Sequence, residues 1–299
     1  MKVHLIGAGK MGLPMGKHLV AASHAVTVED LSEERLSSAL ALGMVATQGA
    51  AGIAEADVVL SSLPHDGALW HAAQEVARHA RPGTTYIDTS TVSPTVSAQV
   101  ADLLAQKQIV YLRSTVSGNN HMAEAAQLTL LVSGPKDAYE RMLPLFKLFG
   151  PSQYWLGEGE QSRLMKLVVN LMIAQTSAML AESLTLGEKG GLRWEDMWDV
   201  LTHSAVASPI VKAKSEQLVL RDYTPTFTVL QMSKDVGLIL DEAQRLKVPL
   251  PQTAMTQQAL HAAAANGDAE ADYAAVIRCA ERAAGLAPLL VMGEGGMSS

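Results

Sequence analysis

The stretch that decides the fold is residues 163–189, RLMKLVVNLMIAQTSAMLAESLTLGEK. It contains no proline and predicts a single helix, which at the usual rise per residue would be about 40 Å long. A helix of that length suits a connection between two domains better than the interior of one. Its first turns are apolar except for Lys166 and Asn170, which lie four residues apart and therefore on one helical face.

Lys166 has two interpretations on this evidence. A buried ammonium is costly unless it is paired, and loss of water lowers the pKa of such a group toward values useful for proton transfer. Alternatively, the lysine stem packs on apolar neighbours while its ammonium reaches water, and Asn170 caps a neighbouring loop. The helix alone favours the second interpretation, because charged side chains are seldom fully buried. The sequence upstream reverses that preference.

Composition limits the class of protein. The chain has 299 residues, enough for one large or two ordinary domains, and 48% of them are hydrophobic. A net charge of -7 argues against nucleic acid and against an anionic membrane surface as partners. The single cysteine, Cys279, allows no internal disulfide and is typical of a cytoplasmic protein. No signal peptide, membrane span or metal site is predicted.

The N-terminal residues follow the order of a dinucleotide-binding unit. An apolar strand at residues 2–6 leads directly into GAGKMG at residues 7–12, and a helical pattern follows. A second strand at residues 25–28 ends at Glu29 and Asp30. Strand, glycine turn, helix, strand and acid in this order predict a site for a nicotinamide dinucleotide.

Each glycine of the turn has a physical role in such a site. Gly7 permits the tight turn, Gly9 lets the backbone approach a pyrophosphate, and Gly12 lets the helix pack closely on the strand. The N-terminus of that helix supplies N–H groups and a positive dipole for the phosphates.

Asp30 falls 18 residues after Gly12, where a carboxylate can bind the adenosine ribose hydroxyls and repel a 2′-phosphate. The first arginine after it is Arg35. NAD is therefore predicted in preference to NADP, with NADP as the alternative. Glu29 is interpreted as a solvated loop residue.

Strands and helices continue to alternate, which predicts a doubly wound, largely parallel sheet up to about residue 157. The further predicted strands are residues 57–62, 84–88, 109–112 and 128–133, and the helices are residues 70–79, 93–107 and 138–149. Ligands bind beyond the carboxyl ends of such strands. The turn at residues 7–12 and the loops at 63–64, 89–91 and near Ser117 should therefore converge.

After the long helix no strand pattern recurs. Helices are predicted at residues 194–204, 209–220, 229–246, 252–265 and 272–284. The predicted fold class is α/β, with an N-terminal doubly wound Rossmann-type domain, a long interdomain helix and an all-α C-terminal domain. The predicted dinucleotide-binding domain is residues 1–162. An all-helical substrate and dimerisation domain, residues 163–289, begins with the helix at 163–190, and residues 290–299 form a disordered tail.

Several blocks, taken together, resemble the β-hydroxyacid dehydrogenase family. They are GAGKMGLPM at residues 7–15, DTSTVSP at 88–94, VSGN at 116–119, Lys166 with Asn170, the segment from Phe227 to Asp235, and DYAAVI at 272–277. The resemblance extends from residue 1 to about residue 286. Several blocks in order and at matching separations are far more specific than any single one.

The resemblance implies roles for individual residues. Lys166 would be the catalytic acid or base at the substrate hydroxyl, and Asn170 would hold the substrate or the lysine. Ser117 and Gly118, with Asn119 after them, would form the loop that receives the substrate carboxylate. Thr91 and Lys234 would be cofactor-side contacts. Together with the residues predicted above, the candidate cofactor-binding residues are Gly7, Ala8, Gly9, Lys10, Met11, Gly12, Asp30, Leu63, Pro64, Thr91 and Lys234.

Two segments depart from the family pattern. Arg113-Ser114-Thr115 stand where the family has Asp-Ala-Pro, and Asn119-Asn120-His121 follow Ser117-Gly118. Asn119 replaces a glycine, so its amide fills space and can form hydrogen bonds. These departures bear on the substrate rather than on the reaction class.

The predicted function is a hydride transfer between a nicotinamide cofactor and a short β-hydroxy acid or the corresponding semialdehyde. Candidate substrates are 3-hydroxyisobutyrate, glycerate or tartronate semialdehyde, and β-hydroxy-α-amino acids. Two alternatives are an imine reductase, against which Lys166 argues, and a catalytically silent dinucleotide-binding interaction module. The apolar helical half predicts a homodimer or homotetramer.

Overall fold

A computed structural model of the chain describes residues 1–47 and 49–286. The chain divides into two compact units, Met1–Val169 and Asn170–Ser299. The division falls inside the long helix, which contributes its first turns to the first unit and the remainder to the second.

The first unit is built on one eight-stranded sheet with the strand order β3-β2-β1-β4-β5-β6-β7-β8. The strands are β1 (Lys2–Ile6), β2 (Ala25–Glu29), β3 (Val45–Ala46), β4 (Val58–Ser61), β5 (Thr85–Asp88), β6 (Val110–Ser117), β7 (Thr129–Ser133) and β8 (Ser152–Trp155). Neighbouring strands are parallel except β6 and β7, which are antiparallel. The predicted largely parallel sheet is confirmed.

Helices connect these strands. They are α1 (Gly12–Ala21), α2 (Glu33–Ala41), α3 (Ala50–Glu55), α4 (Asp66–His79), α5 (Pro94–Ala105), α6 (Asn120–Glu124), α7 (Lys136–Phe146) and the start of α8 (Gln161–Lys189). Successive strand residues enter separate apolar clusters, as Leu5 and Ile6 do in β1 and Leu60 and Val59 do in β4. Because alternate side chains of a strand point to opposite faces, both faces of the sheet are covered, as a doubly wound fold requires.

The topology places four of the predicted loops at one edge of the sheet. Strands β1, β4, β5 and β6 are adjacent and parallel, so the loops that follow them leave the same carboxyl edge. Strand β6 pairs with β5 only as far as Arg113, opposite Asp88, and continues alongside β7 to Ser117. Ser117 therefore lies about 13 Å further along the strand direction than the end of β5.

Within residues 170–286 the structure has helices and one isolated bridge, between Thr228 and Asp272. The helices after α8 are α9 (Trp194–His203), α10 (Pro209–Leu218), α11 (Val229–Leu246), α12 (Pro251–Ala263) and α13 (Val276–Ala283). A π-helical turn, Ala264–Asp268, and a 3₁₀ turn, Tyr273–Ala275, precede α13. One apolar cluster, which includes Trp194 and Trp198, forms the core. The predicted all-α second half is confirmed.

Helix α8 has two contrasting faces. Arg163, Leu167, Asn170 and Ala174 are buried, at the three- and four-residue spacing of one helical face. By length and hydropathy alone α8 could cross a membrane, with 33% of the relevant window buried. A charged and an amide side chain on its buried face, both paired within the protein, are instead typical of a helix in a folded body.

Five elements of the structure have no counterpart among the predicted ones: β3, β8, α2, α3 and α6. Most of these elements are short, and β8 is a partly exposed edge strand without apolar alternation. Helix α2 is mostly polar and begins after the N-cap Ser32. The predicted tail at residues 290–299 lies outside the described residues.

Candidate active site

The glycine turn leaves no room for side chains where the chain packs on itself. Gly7 has φ +94°, and a Cβ there would lie 2.5 Å from the carbonyl oxygen of Ser62. A Cβ on Gly12 would lie 2.0 Å from the carbonyl oxygen of Gly7. At Gly9 the nearest atom would be Arg35 Nη1, at 4.0 Å, so this position faces open space. The turn thus fits a pyrophosphate, which needs backbone N–H groups at close approach.

Asp30 fastens this turn to the end of β2. Its Oδ2 accepts a hydrogen bond from Ala8 N at 2.8 Å, and its Oδ1 accepts one from Ser32 N at 2.9 Å. Arg35 Nη1 lies 3.7 Å from Oδ1. Each carboxylate oxygen can accept a further hydrogen bond, so Asp30 remains chemically able to bind ribose hydroxyls.

Glu29 is not the solvated loop residue that the sequence suggested. It is the last residue of β2, and its Oε2 accepts a hydrogen bond from Gly49 N at 2.9 Å, while Oε1 lies 3.8 Å from His4 Nε2. Burial acts to raise the pKa of this carboxyl, but His4 and the Gly49 amide outweigh it and leave the pKa lowered. The earlier interpretation failed because the strand continues one residue further than predicted.

The loops after β4 and β5 are joined by hydrogen bonds. Leu63 N donates to Ser90 Oγ at 2.8 Å. Ser93 donates to Asp66 from both its N and its Oγ, at 2.9 and 2.6 Å. The two loops therefore form one hydrogen-bonded unit at the carboxyl edge.

The other predicted cofactor residues of the first unit differ in exposure. Lys10 and Pro64 are exposed, Met11, Leu63 and Thr91 are partly buried, and Ala8 is buried.

The loop after β6 has a backbone that requires glycine at one position. Gly118 has φ +140°, and a Cβ there would lie 2.7 Å from Leu128 Cδ2. Asn119 is the N-cap of α6, because its Oδ1 accepts a hydrogen bond from Met122 N at 3.0 Å. The side-chain oxygen of Asn119 thus has a local role, which leaves its NH₂ group as the donor toward a ligand.

The segment Arg113-Ser114-Thr115 holds the start of α8. Arg113 is buried and paired with Glu160, to which its Nε donates at 2.8 Å. Thr115 Oγ1 donates to the carbonyl oxygen of Ser162 at 3.1 Å. The residues that depart from Asp-Ala-Pro therefore contact the start of the helix that carries Lys166.

Arg163 was missed by the sequence analysis and is fully buried. Its Nη2 donates to Asp88 Oδ2 at 2.5 Å, and its Nη1 donates to the carbonyl oxygen of Ser90 at 2.7 Å. Burial acts to lower the pKa of the guanidinium, but Tyr111 and Asp88 raise it further, so the charge is retained. An arginine in the first turn of an apolar helix was the available signal.

Lys166 is partly buried and lies one turn after Arg163 in α8. In the second unit, buried Asn170 donates from Nδ2 to Asp235 Oδ2 at 2.6 Å. Lys234 Nζ lies 2.6 Å from Asp235 Oδ1. Asp235, to which the sequence analysis gave no role, therefore links Asn170 and Lys234 through one carboxylate.

Comparisons with known proteins agree with these two units. A family model described as the NAD binding domain of 6-phosphogluconate dehydrogenase matches residues 2–157. A second model, described as the NAD-binding domain of NADP-dependent 3-hydroxyisobutyrate dehydrogenase, matches residues 160–280. Both models are of dinucleotide-dependent dehydrogenases, and together they cover nearly all of the described chain.

Individual relatives match over almost their whole length. A 2-(hydroxymethyl)glutarate dehydrogenase of Eubacterium barkeri is 32% identical over 291 residues, covering 96% of this chain and 97% of the relative. An NAD-dependent L-serine dehydrogenase of Pseudomonas aeruginosa is 28% identical, covering 92% and 96%. The solved structure of Mycobacterium tuberculosis 3-hydroxyisobutyrate dehydrogenase with L-serine has a TM-score of 0.86 at 28% identity, covering 93% and 98%.

Imine reductases share only the fold at this level of similarity. One from a Pseudomonas species has a TM-score of 0.59 at 20% identity. Full-length matches to enzymes that act on hydroxy acids, and the cradle for a dinucleotide at residues 7–12, lead to one assignment: the chain belongs to the β-hydroxyacid dehydrogenase family and is an NAD(P)-dependent oxidoreductase acting on a CH–OH group.

Proposed function

We propose that this dehydrogenase acts on short β-hydroxy acids, with Lys166 as the group that moves the hydroxyl proton. The observation that carries the proposal is the placement of Lys166. It stands in the first turns of α8, and the residues just before it are hydrogen-bonded to the ends of β5 and β6. The loops at that same edge form the dinucleotide cradle.

The chemistry divides between the cofactor and the chain. A dinucleotide held by the glycine turn and Asp30 would supply the hydride acceptor for oxidation and the hydride donor for reduction. Lys166 Nζ takes the hydroxyl proton in the oxidation and gives it back in the reduction. Asn170 orients the hydroxyl or the ammonium through its Oδ1, because its Nδ2 is already bonded to Asp235. Ser117, Gly118 and Asn119 receive the substrate carboxylate.

The substrate class follows from the relatives' names. Those enzymes are named for 2-(hydroxymethyl)glutarate, L-serine and 3-hydroxyisobutyrate, and each of these acids carries its hydroxyl on the carbon next but one to a carboxylate. The test is an initial-rate screen of such acids with NAD and NADP, using lactate, a simple alcohol and a cyclic imine as controls. We expect turnover of at least one β-hydroxy acid and none of the controls. Activity confined to the imine would contradict the proposal.

We further propose that NAD is preferred, because Asp30 directly follows β2 and borders the glycine turn, where a carboxylate can bind ribose hydroxyls. Arg35 beside it, at 3.7 Å, partly offsets the negative charge that would repel a 2′-phosphate. NADP is therefore expected to be a weaker cofactor, not an excluded one. The same screen measures this as the ratio of the two kcat/KM values.

A homodimer or larger homo-oligomer is proposed from the outer face of α8. Met165, Met172, Met179 and Leu186 are exposed and recur every seven residues, the repeat with which one helix packs along another. Methionine is also enriched at protein interfaces. Light scattering should give at least twice the chain mass of 31.7 kDa, and a double variant with Met172→Glu and Met179→Glu should have a lower mass.

We further propose that the protein is cytoplasmic, in keeping with its single cysteine.

A further inference from the structure

We propose that Arg163 is a positioning residue, which ties the loops that hold the cofactor to the turn of α8 that carries Lys166. The inference rests on the proposed role of Lys166. It concerns the first unit alone, because Arg163, its partners and Lys166 all belong to residues 1–169.

The centre of the arrangement is a buried carboxylate at the end of β5. Asp88 is fully buried, and its Oδ1 lies 2.5 Å from Ser61 Oγ and accepts a hydrogen bond from Ser90 Oγ at 2.6 Å. Ser90 Oγ in turn accepts from Leu63 N. Asp88 therefore fixes the loop after β4 as well as the loop after its own strand.

Arg163 occupies the other side of that carboxylate and contacts three different segments. Its Nη2 donates to Asp88 Oδ2 and, at 2.8 Å, to Tyr111 Oη. Nη1 donates to the carbonyl oxygen of Ser90, and Nε donates to Ser97 Oγ at 3.1 Å. The planar guanidinium has donors in fixed directions, so these bonds together set both the position and the rotation of the side chain.

The first turn of α8 is held in place by hydrogen bonds from Ser162 and Arg163 to different parts of the sheet. Ser162 Oγ donates to the carbonyl oxygen of Leu131 at 2.5 Å, and Ser162 N donates to Ser133 Oγ at 3.2 Å. These bonds fix the turn to β7, and Thr115 of β6 adds hydrogen bonds to Ser162. Among the described residues, Arg163 is the residue of this turn that bonds to Ser90, next to the predicted cofactor residue Thr91.

The distance to Lys166 makes this connection relevant to catalysis. Lys166 follows Arg163 by three residues, which is about 4.5 Å along a helix axis. A tilt or rotation of the first turn therefore displaces the lysine relative to the loops that carry the nicotinamide. A misplacement of about 1 Å can lower a rate by roughly a hundredfold.

A contribution to the stability of the fold does not by itself explain why Arg163 and Asp88 form a buried ion pair here. Replacing such a pair with neutral groups is often neutral or stabilising, whereas breaking it by removing one partner is strongly destabilising. A pair that only stabilised the fold could therefore be neutralised on both sides with no loss of turnover. A pair that sets the position of Lys166 could not, and this difference separates the two roles.

The experiment uses three variants. The first is a double variant that carries both Arg163→Met and Asp88→Asn, the second is the milder change Arg163→Lys, and the third is the control Leu104→Ala. Leu104 is fully buried near the C-terminal end of α5, at the opposite edge of the sheet. We expect kcat to fall by about 10- to 100-fold in the double variant and by less in Arg163→Lys. The dissociation constant for NAD should rise by less than about fivefold, because the Oδ1 of an asparagine at position 88 still accepts from Ser61 and Ser90 and the glycine turn is untouched. Leu104→Ala should lower the melting temperature and leave kcat nearly unchanged.

Hydrogen exchange supplies a readout that needs no substrate. NAD binding should restrict the motion of the cofactor loops, and Arg163 should couple that restriction to the first turns of α8. NAD should therefore slow amide exchange at residues 161–169 in the parent and not in the double variant. A double variant with parental kcat, or with parental NAD protection of those residues, would overturn the inference. If Lys166→Ala is inactive while Arg163→Lys and the double variant are both fully active, the inference about Arg163 is wrong and the proposed function is retained. Full activity of Lys166→Ala would remove both.

Discussion

At the glycine turn, residues 7–12, the chain presents backbone and excludes side chains, whereas at the start of α8 it buries charged side chains against strand ends. A Cβ on Gly12 would lie 2.0 Å from a carbonyl oxygen, so the turn has no room for an added atom at that position. Arg163 and Arg113 are each paired with a carboxylate, so removal of either partner would leave a charge unpaired. Exposed backbone amides of the glycine turn suit a ligand with many phosphate oxygens. A single proton-transfer group such as Lys166 instead needs a rigid support, which the buried ion pairs supply.

The largest expected effect lies on the α8 side of this comparison. Lys166→Ala should reduce kcat by about 10²–10⁴, the usual contribution of a positioned acid or base. NAD affinity and melting temperature should stay close to those of the parent, since alanine favours a helix. Turnover, NAD binding and thermal unfolding are measured on one preparation. Lys189→Ala, at the other end of the same helix, is the control and should keep full activity; a Lys166→Ala enzyme as active as this control would contradict the mechanism.

Substitutions in the glycine turn should affect stability and NAD binding separately, and a pair of variants distinguishes the two effects. Gly12→Ala should cost about 1–3 kcal/mol of unfolding free energy, because the added methyl overlaps a backbone oxygen, and should also weaken NAD binding. Gly9→Ala meets no atom of the protein closer than 4.0 Å, so it should weaken NAD binding with little loss of stability. Denaturant unfolding and NAD titration separate the two effects. Equal stability losses would show that Gly9 is packed and does not face the cofactor.

Asp30 tests whether the turn also selects the cofactor. Asp30→Ala should weaken NAD by about 1.5–3 kcal/mol, the value of hydrogen bonds to a charged group, and NADP by much less. Asp30→Asn keeps an acceptor for the Ala8 amide and removes the charge, so it isolates the repulsion of the 2′-phosphate. The measurement is kcat/KM for both cofactors. An unchanged NAD value in Asp30→Ala would end the argument for NAD preference.

A smaller effect is expected at the loop after β6. Asn119→Gly should change the relative kcat/KM of different β-hydroxy acids by about 1–2 kcal/mol, because opening space in a pocket alters discrimination by that order. Loss of the helix cap should cost only a few tenths of a kcal/mol. Asn119→Ser retains a capping oxygen and is the matched control. A substrate profile identical to the parent's would mean that the Asn119 amide has no contact with the substrate.

The smallest effect concerns Glu29, whose pKa is lowered in the fold. A depressed carboxyl pKa stabilises the folded state at pH values above the unfolded pKa, and this contribution is lost as the pH falls through the folded pKa. Glu29→Gln should therefore be less stable than the parent by under about 1 kcal/mol near neutrality. Unfolding measured from pH 7 down to pH 3 should show the difference disappear. A constant difference at all pH values would exclude the charge as its cause.

Sequence patterns predicted the parts of the site that depend on local backbone. The spacing of Gly7, Gly9 and Gly12 predicted the tight turn between β1 and α1, and the proline-free segment predicted α8 to within two residues of its start. These predictions succeeded because glycine, proline and apolar periodicity act over a few neighbouring residues. Lys166 and Asn170 were singled out by the same route, since their four-residue separation fixes a shared helical face, and their catalytic roles stay predictions.

The supports of those residues required the tertiary structure. Asp88 and Arg163 are 75 residues apart in the chain, and Asn170 and Asp235 are 65 apart. No local pattern reports such pairs. The segment 113–115 shows the same limit, because its departure from the family was visible in sequence while its contacts with Glu160 and Ser162 were not.

The sequence by itself therefore determined the fold class, the order of strand, glycine turn and helix at the N-terminus, and the use of a nicotinamide cofactor, and it singled out Lys166 as the predicted proton-transfer residue. The tertiary structure decided which charges are buried together and which strand ends hold the start of α8. The physical reason is that backbone conformation and periodicity are set by adjacent residues, whereas pairing of buried charges depends on contacts that exist only after the sheet and the helix have packed.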